Sequence, residues 1–278
     1  MRETESARAL SAAMAVGSSL GLSVADATVL HDSNKLTARL LPCDVLARVA
    51  PVTDQVAEFE VDLAKRLAAV GSPVAALDPR VQPRVYERDG FAITLWTYYE
   101  PTGTPSVPPA DYARALERLH AGMRAADVPA PHFTDRIARA RDLLADHDRT
   151  PRLAAADREL LSDTLRSLGR TLGGHGGDEQ LLHGEPHPGN VLDTKGDGLL
   201  FVDLETCCRG PVEFDLAHAP EEVAAHCSGI DEDLLAACRT LVLAVVTTWR
   251  WDRDDAYPGG QRMGREWLER LRAENGPR

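Results

Sequence analysis

The residues with the most chemistry in them fall within about 25 positions. Leu181-Leu182-His183-Gly184-Glu185-Pro186-His187-Pro188-Gly189-Asn190-Val191-Leu192 is followed by Phe201-Val202-Asp203-Leu204-Glu205. Two short apolar runs, 190–192 and 199–203, flank Asp193-Thr194-Lys195-Gly196-Asp197-Gly198, a turn-rich hairpin connection. Ahead of it Pro186, Pro188 and Gly189 keep the chain from becoming helix. Glu185 and Asn190 therefore precede one hairpin and Asp203 closes it. Phosphoryl transfer needs such a set: a carboxylate at the attacking hydroxyl, and an amide and a second carboxylate holding Mg²⁺ on the phosphates.

His-Gly-Glu-x-His-Pro-Gly-Asn followed by Val-Asp-Leu-Glu resembles the catalytic and metal-binding loops of the aminoglycoside phosphotransferase family, which shares the protein-kinase-like fold. The usual family pattern is His-Gly-Asp, four residues, Asn, then an Ile-Asp-Trp-Glu-like strand end. This chain carries Glu185 at the Asp position. The resemblance implies an α+β, bilobal, protein-kinase-like chain. Its small N-terminal lobe (1–98) has an antiparallel sheet and one key helix, and its larger, mostly helical lobe (99–278) carries catalysis and the acceptor. It implies ATP (or GTP) and Mg²⁺ as cofactors, Glu185 as the catalytic base, and Asn190 and Asp203 as Mg²⁺ ligands. His183, Glu205 and Asp215 are expected to support the site. Glutamate is one methylene longer than aspartate, and misplacement of about 1 Å can cost roughly 10²-fold in rate, so the loop must shift to compensate.

The elements that must position these residues can be read in part. Residues 5–16 have helical composition and end at Gly17. Residues 27–30, 36–41 and 45–49 read as strands. The turn His31-Asp32-Ser33-Asn34-Lys35 stands where a kinase has its nucleotide-covering loop, and it contains no glycine. On the third strand Arg48 occupies the place of the family lysine that holds the α- and β-phosphates. Guanidinium can bind phosphate oxygens bidentately, with a different reach from an ammonium. The alternatives are an exposed Arg on an edge strand, with Lys35 as the phosphate cation. Asp54 to Val70 has Val56, Phe59, Leu63, Leu67 and Val70 at helical spacing, and Gly71 closes it. By resemblance Glu60, with Glu58 as fallback, pairs with the strand cation. Strands 81–86 and 91–98 flank the Asp89-Gly90 turn. Backbone groups at Thr97, Tyr98 and Tyr99 are then expected to meet the nucleotide base, and the prolines at 101, 105, 108 and 109 mark the lobe boundary.

From Ala110 the chain reads as mostly helical. Tyr112, Leu116, Leu119 and Met123 form a stripe, with His120 packed beside it, and helices follow over 133–145 and 153–172. Gly173-Gly174-His175-Gly176-Gly177 lacks the Lys-Ser/Thr of a P-loop and reads as a connector. Asp215, in Glu213-Phe214-Asp215-Leu216-Ala217, is where the family has the residue that braces the catalytic loop. Helices over 234–249 and 264–273 complete the chain. Acidic groups at Glu221 and Glu222, Asp231 to Asp233, and Asp252, Asp254 and Asp255 would suit amino groups of an acceptor, or are solvated helix faces.

The 278-residue chain has 44% hydrophobic and 27% charged residues, ordinary for a globular protein. A net charge of −12 argues against nucleic acid or anionic membrane as a partner and suits a small, cationic acceptor. The N-terminal stretch makes a poor signal peptide, the longest apolar run (241–246) cannot span a bilayer, and the five cysteines include no Cys-x-x-Cys. A cytoplasmic enzyme is expected. The acceptor would be an aminoglycoside-like antibiotic, which implies resistance, or a metabolite of sugar or choline type. Arg48 for Lys and Glu185 for Asp keep a rival alive: a pseudokinase that binds nucleotide without transfer. Zinc on His183, Glu185 and His187 fits poorly, since the order differs from His-Glu-x-x-His and two prolines forbid a helix.

Overall fold

The computed structural model describes residues 3–32, 35–53, 56–103, 106–126, 128–174, 177–255 and 257–275. Ser33, Asn34, Asp54, Thr104, Pro105, His175 and Gly176, part of the turn, helix and linker readings above, lie outside them. The chain divides into two compact units, Met1–Val128 with Gly189–Thr206, and Pro129–Pro188 with Cys207–Arg278. This division differs from the one read at 98/99, because the helix after the proline-rich crossing and the 191–201 hairpin group with the N-terminal sheet.

In the first unit, α1 (Glu3–Ser19) precedes an antiparallel sheet of β1 (Val24–Asp32), β2 (Leu36–Pro42), β3 (Val45–Pro51), β4 (Tyr86–Arg88) and β5 (Phe91–Thr97). The order is β1-β2-β3-β5-β4, so β3 is central and Arg48 is not on an edge strand. Alternation sets the two faces. Leu36, Ala38, Leu40, Val45, Ala47 and Val49 are buried on one face, which packs in a core with Ala9, Ala12, Ala13 and Val16 of α1. Thr37, Leu46 and Arg48 alternate onto the opposite face. The strand expected over 81–86 is shorter, with β4 beginning at Tyr86, because Pro83 supplies no N–H for a ladder.

Helix α2 (Val56–Ala69) buries Glu60, Val61, Leu63, Ala64 and Leu67, so the glutamate shares the apolar face. Helix α3 (Pro109–Ala126) buries the Tyr112, Leu116, Leu119 and Met123 stripe and His120. Gly122 lets α3 approach closely, since a Cβ there would stand 2.0 Å from the Ser72 hydroxyl. Hairpin β7 (Val191–Thr194) and β8 (Gly198–Phe201) is tied to the chain after α2: Phe201 N–H donates to Pro73 O (2.8 Å) and Ala75 N–H to Phe201 O (3.0 Å).

The second unit contains α4 (Asp135–Ala145), α5 (Ala155–Gly173), α6 (Val212–Leu216), α7 (Glu232–Trp249) and α8 (Gly260–Asn275). Its small sheet pairs β6 (Gln180–Leu182) with β9 (Cys208–Gly210). Ile137, Leu144, Leu161, Leu165, Leu241, Ala244, Leu268 and Leu271 belong to its core. Asp231 caps α7, accepting from the N–H groups of Asp233 and Leu234. Among the described residues no helix is long and apolar enough to cross a membrane.

Candidate active site

Strand register in the first unit brings the candidate metal ligands together. Val191 pairs with Phe201, so the next positions outward are Asn190 and Val202, and Val202 N–H donates to Asn190 O (3.0 Å). Asp203 follows with φ +68°, a left-handed conformation that aspartate tolerates better than most residues and that turns the chain out of the strand. Asn190 and Asp203 both line a pocket of about 580 Å³. Its other walls include Thr37, Leu46 and Arg48 from the sheet face opposite α1, Trp96 to Tyr99 at the end of β5, and Ala75, Leu192 and Phe201. Apolar walls with a few polar groups at one end are what a nucleotide-sized ligand needs.

Arg48 stands at the polar end. Its guanidinium is hydrogen-bonded to Glu60 Oε1 and, at 2.6 Å, to Asp203 Oδ1. Glu60 Oε1 also accepts from Leu204 N–H (3.1 Å), which ties α2 to the residue after Asp203. Lys35 is ion-paired with Glu205. The cluster thus holds three carboxylates (Glu60, Asp203, Glu205) against two cations (Arg48, Lys35). Burial pushes the Glu60 carboxyl above its usual range, and the pull of Arg48 does not cancel it. Burial works against the charge on Arg48, but Glu60 and Asp203 outweigh it and raise the group above its ordinary value.

The amide oxygen of Asn190 and the carboxylate of Asp203 are hard oxygen donors, and two such groups match Mg²⁺, which otherwise keeps water and phosphate oxygens. The donor set fits the ion that the motif implies. Along β5, Thr97 N–H already donates to Ala76 O (2.9 Å), and Tyr99 Oη accepts from Ala76 N–H (3.3 Å). Arg39 lies over the Tyr98 ring, 3.9 Å from its centroid.

The second unit carries the loop that contains Glu185. His183 is fully buried after β6, and its N–H donates to Asp215 Oδ2 (3.0 Å). Gly184, at φ +87°, donates to Asp215 Oδ1 (2.8 Å). Asp215 on α6 therefore holds the loop backbone by two charge-assisted bonds. Glu185 N–H approaches His183 Nδ1 (3.4 Å), and His187 N–H donates to Glu185 O (2.8 Å). Glu185 Oε1 accepts from Arg136 of α4 at 2.7 Å. Sequence reasoning named neither Arg136 nor the pairing of Lys35 with Glu205. No local signal could have done so, since the partners are 49 and 170 residues apart.

An antiparallel sheet with one packed helix, followed along the chain by a mostly helical region, is the element order of a protein-kinase-like fold. The phosphotransferase enzyme family model matches residues 37–253, and the chain belongs to that family. A search of curated protein sequences gave no match. Among solved structures the chain is similar to APH(2")-IIia in complex with GDP and kanamycin (TM-score 0.69, 16% identity, covering 92% of this chain and 95% of that one). It is also similar to the amicoumacin kinase hAmiN with AMP-PNP and Ca²⁺ (0.67, 13%, 90% and 88%). A choline/ethanolamine kinase family protein from Mesorhizobium loti matches as well (0.67, 18%, 99% and 95%). The resemblance drawn from the motif is borne out, and the fold is that of small-molecule kinases.

Proposed function

We propose that the chain transfers the γ-phosphate of ATP or GTP to a hydroxyl on a small polar acceptor, aminoglycoside-like or a metabolite. The observation that carries this reading is the 580 Å³ pocket, which has apolar walls and Arg48, Asn190 and Asp203 at its polar end. Arg48, held by Glu60, takes the role of the family lysine on the phosphates, and Lys35 is a second cation for them. Asn190 and Asp203 would hold Mg²⁺, which would neutralise phosphate charge. Glu185 accepts the proton of the acceptor hydroxyl. The acceptor oxygen forms its bond to the γ-phosphorus as the bond to the β-phosphate oxygen breaks, and the nucleoside diphosphate leaves with that electron pair. The acidity of the chain suits a cationic acceptor, and its five free cysteines suit the cytoplasm.

The test is thermal unfolding with and without MgATP or MgGTP, beside Asn190→Ala and Asp203→Ala. Ligand at about 100 times its dissociation constant stabilises by roughly 2.7 kcal/mol. The expected result is a metal-dependent shift that both variants lose. No shift with either nucleotide refutes the reading. ADP release across aminoglycosides, peptide antibiotics, amino sugars and choline then identifies the acceptor class. Arg48 and Glu185, where the family has Lys and Asp, motivate one rival, a nucleotide binder without transfer, and a shift with no ADP release from any acceptor would select it.

A further inference from the structure

We propose that Arg136, on α4, is the positioning residue that sets the Glu185 carboxylate for proton acceptance. This rests on the phosphotransfer reading above. A glutamate where the family has aspartate carries its carboxylate on one more rotatable bond. The loop backbone alone cannot fix that extra torsion, because Asp215 holds His183 and Gly184 by their N–H groups and leaves the Glu185 side chain to be restrained from elsewhere. Arg136 supplies a restraint, at 2.7 Å from Glu185 Oε1, within the range of a charge-assisted bond.

Arg136 is itself held in place. It is buried, and its guanidinium lies 5.4 Å from the centroid of the Phe214 ring. Phe214 and Asp215 are consecutive residues of α6. One short helix thus fixes the loop backbone through Asp215 and the cation that orients the loop carboxylate through Phe214. Arg136 and Phe214 also line a cavity of about 10 Å³ with His218, Leu241, Val245 and Trp249. His218 stands edge-on to Phe214, and its Nε2 is buried. Burial, with the charge of Arg136 adding to it, pushes His218 down to about 3, so it brings no second cation to this wall.

A purely structural ion pair would behave differently. It would change the melting temperature and leave turnover alone, and buried pairs are in any case weak evidence for stability. The experiment measures ADP formation by the full chain with MgATP, using water and then the acceptor panel, for wild type, Arg136→Gln, Arg136→Lys, Glu185→Gln and the Arg136→Gln/Glu185→Gln double variant. Arg136→Gln is expected to lower kcat roughly 10²-fold, the size of a 1 Å misplacement, with KM for MgATP and the MgATP thermal shift unchanged. Arg136→Lys should recover part of the loss. In the Glu185→Gln background Arg136→Gln should cost nothing further. If Arg136→Gln does not fold, Arg136→Lys carries the same comparison. Wild-type kcat in the Arg136 variants overturns the proposal, as does a faster variant, which would make the pair a restraint, or an equal loss in both backgrounds. A wild-type protein that forms neither ADP from MgATP nor GDP from MgGTP, with any acceptor or with water, refutes the phosphotransfer reading itself, a result separate from any Arg136 variant.

Discussion

Replacing Arg48 with methionine removes the cation from the most crowded part of the site while keeping most of the length of the side chain. Glu60, 2% exposed, would then be a buried carboxylate that keeps the hydrogen bond from Leu204 N–H at 3.1 Å but has lost its counter-charge. Breaking a buried pair by removing one partner costs about 3–5 kcal/mol. The surviving N–H bond and the attraction of Lys35 argue for the lower end, about 3 kcal/mol. For a chain of this size that is a fall of roughly 6–12 °C in melting temperature.

The pH dependence gives the sharper check. Glu60 is a carboxyl raised above its unfolded value, so protonation favours the folded state, and losing Arg48 raises it further. The deficit of Arg48→Met should therefore be largest near pH 8 and shrink as pH falls through the raised value, where Glu60 becomes neutral. Urea unfolding of wild type and variant at several pH values between about 8 and 5 measures it. Neutralising both partners, Arg48→Met with Glu60→Gln, should recover most of the stability at pH 8, because the uncompensated charge is gone and the amide oxygen still accepts from Leu204 N–H. A single variant within about 1 kcal/mol of wild type, or a deficit that does not shrink on acidification, would refute the argument that Arg48 compensates Glu60.

Other consequences follow from the same structure. Asp215→Ala leaves the His183 and Gly184 N–H groups without their acceptor, at about 1–3 kcal/mol each, so urea unfolding should show a loss of about 2–6 kcal/mol, with ADP release falling as well. Burial tends to raise the Asp78 carboxyl, but its bonds from the Arg80 side chain and backbone hold it below the usual range. Its contribution is thus present above the unfolded value and lost as pH falls below about 4, and Asp78→Asn should flatten the acid limb of a melting-temperature profile. Burial pushes the Cys208 and Cys238 thiols up to about 12, so a thiol reagent at pH 8 should leave both unmodified in the native protein and reach them only on unfolding.

What could be read from the sequence was local. The 191–201 hairpin, the placing of Asn190 and Asp203 at its open end, and the alternation of β2 and β3 follow from a period of two and a turn-rich insert. The family resemblance added the pairing of Arg48 with Glu60, 12 residues apart. Three further pairings were not legible. Arg48 meets Asp203 across 155 residues, Lys35 meets Glu205 across 170 and Arg136 meets Glu185 across 49. Charged side chains on helix and turn surfaces carry no periodic mark of their partner. Arg136 in particular sits in an arginine-rich helix, where Arg139 and Arg141 read the same way. Only packing distinguishes them: Arg136 is buried, while both of the others are exposed.

The two departures from the family pattern bear on this point together. Each substituted residue meets a side chain of opposite charge. Arg48, where the family has lysine, spans two carboxylates with the two arms of its guanidinium, a geometry that an ammonium on one stem would not reproduce. Glu185, where the family has aspartate, is met by a buried arginine whose own position is fixed by α6. In each case the changed side chain has a larger span, and the structure provides a counter-charge at the distance that span requires. These pairings favour substitutions accommodated in a working site over substitutions tolerated in a dead one, and the kcat comparison at Arg136 and the stability cycle at Arg48 test the two halves of that argument independently.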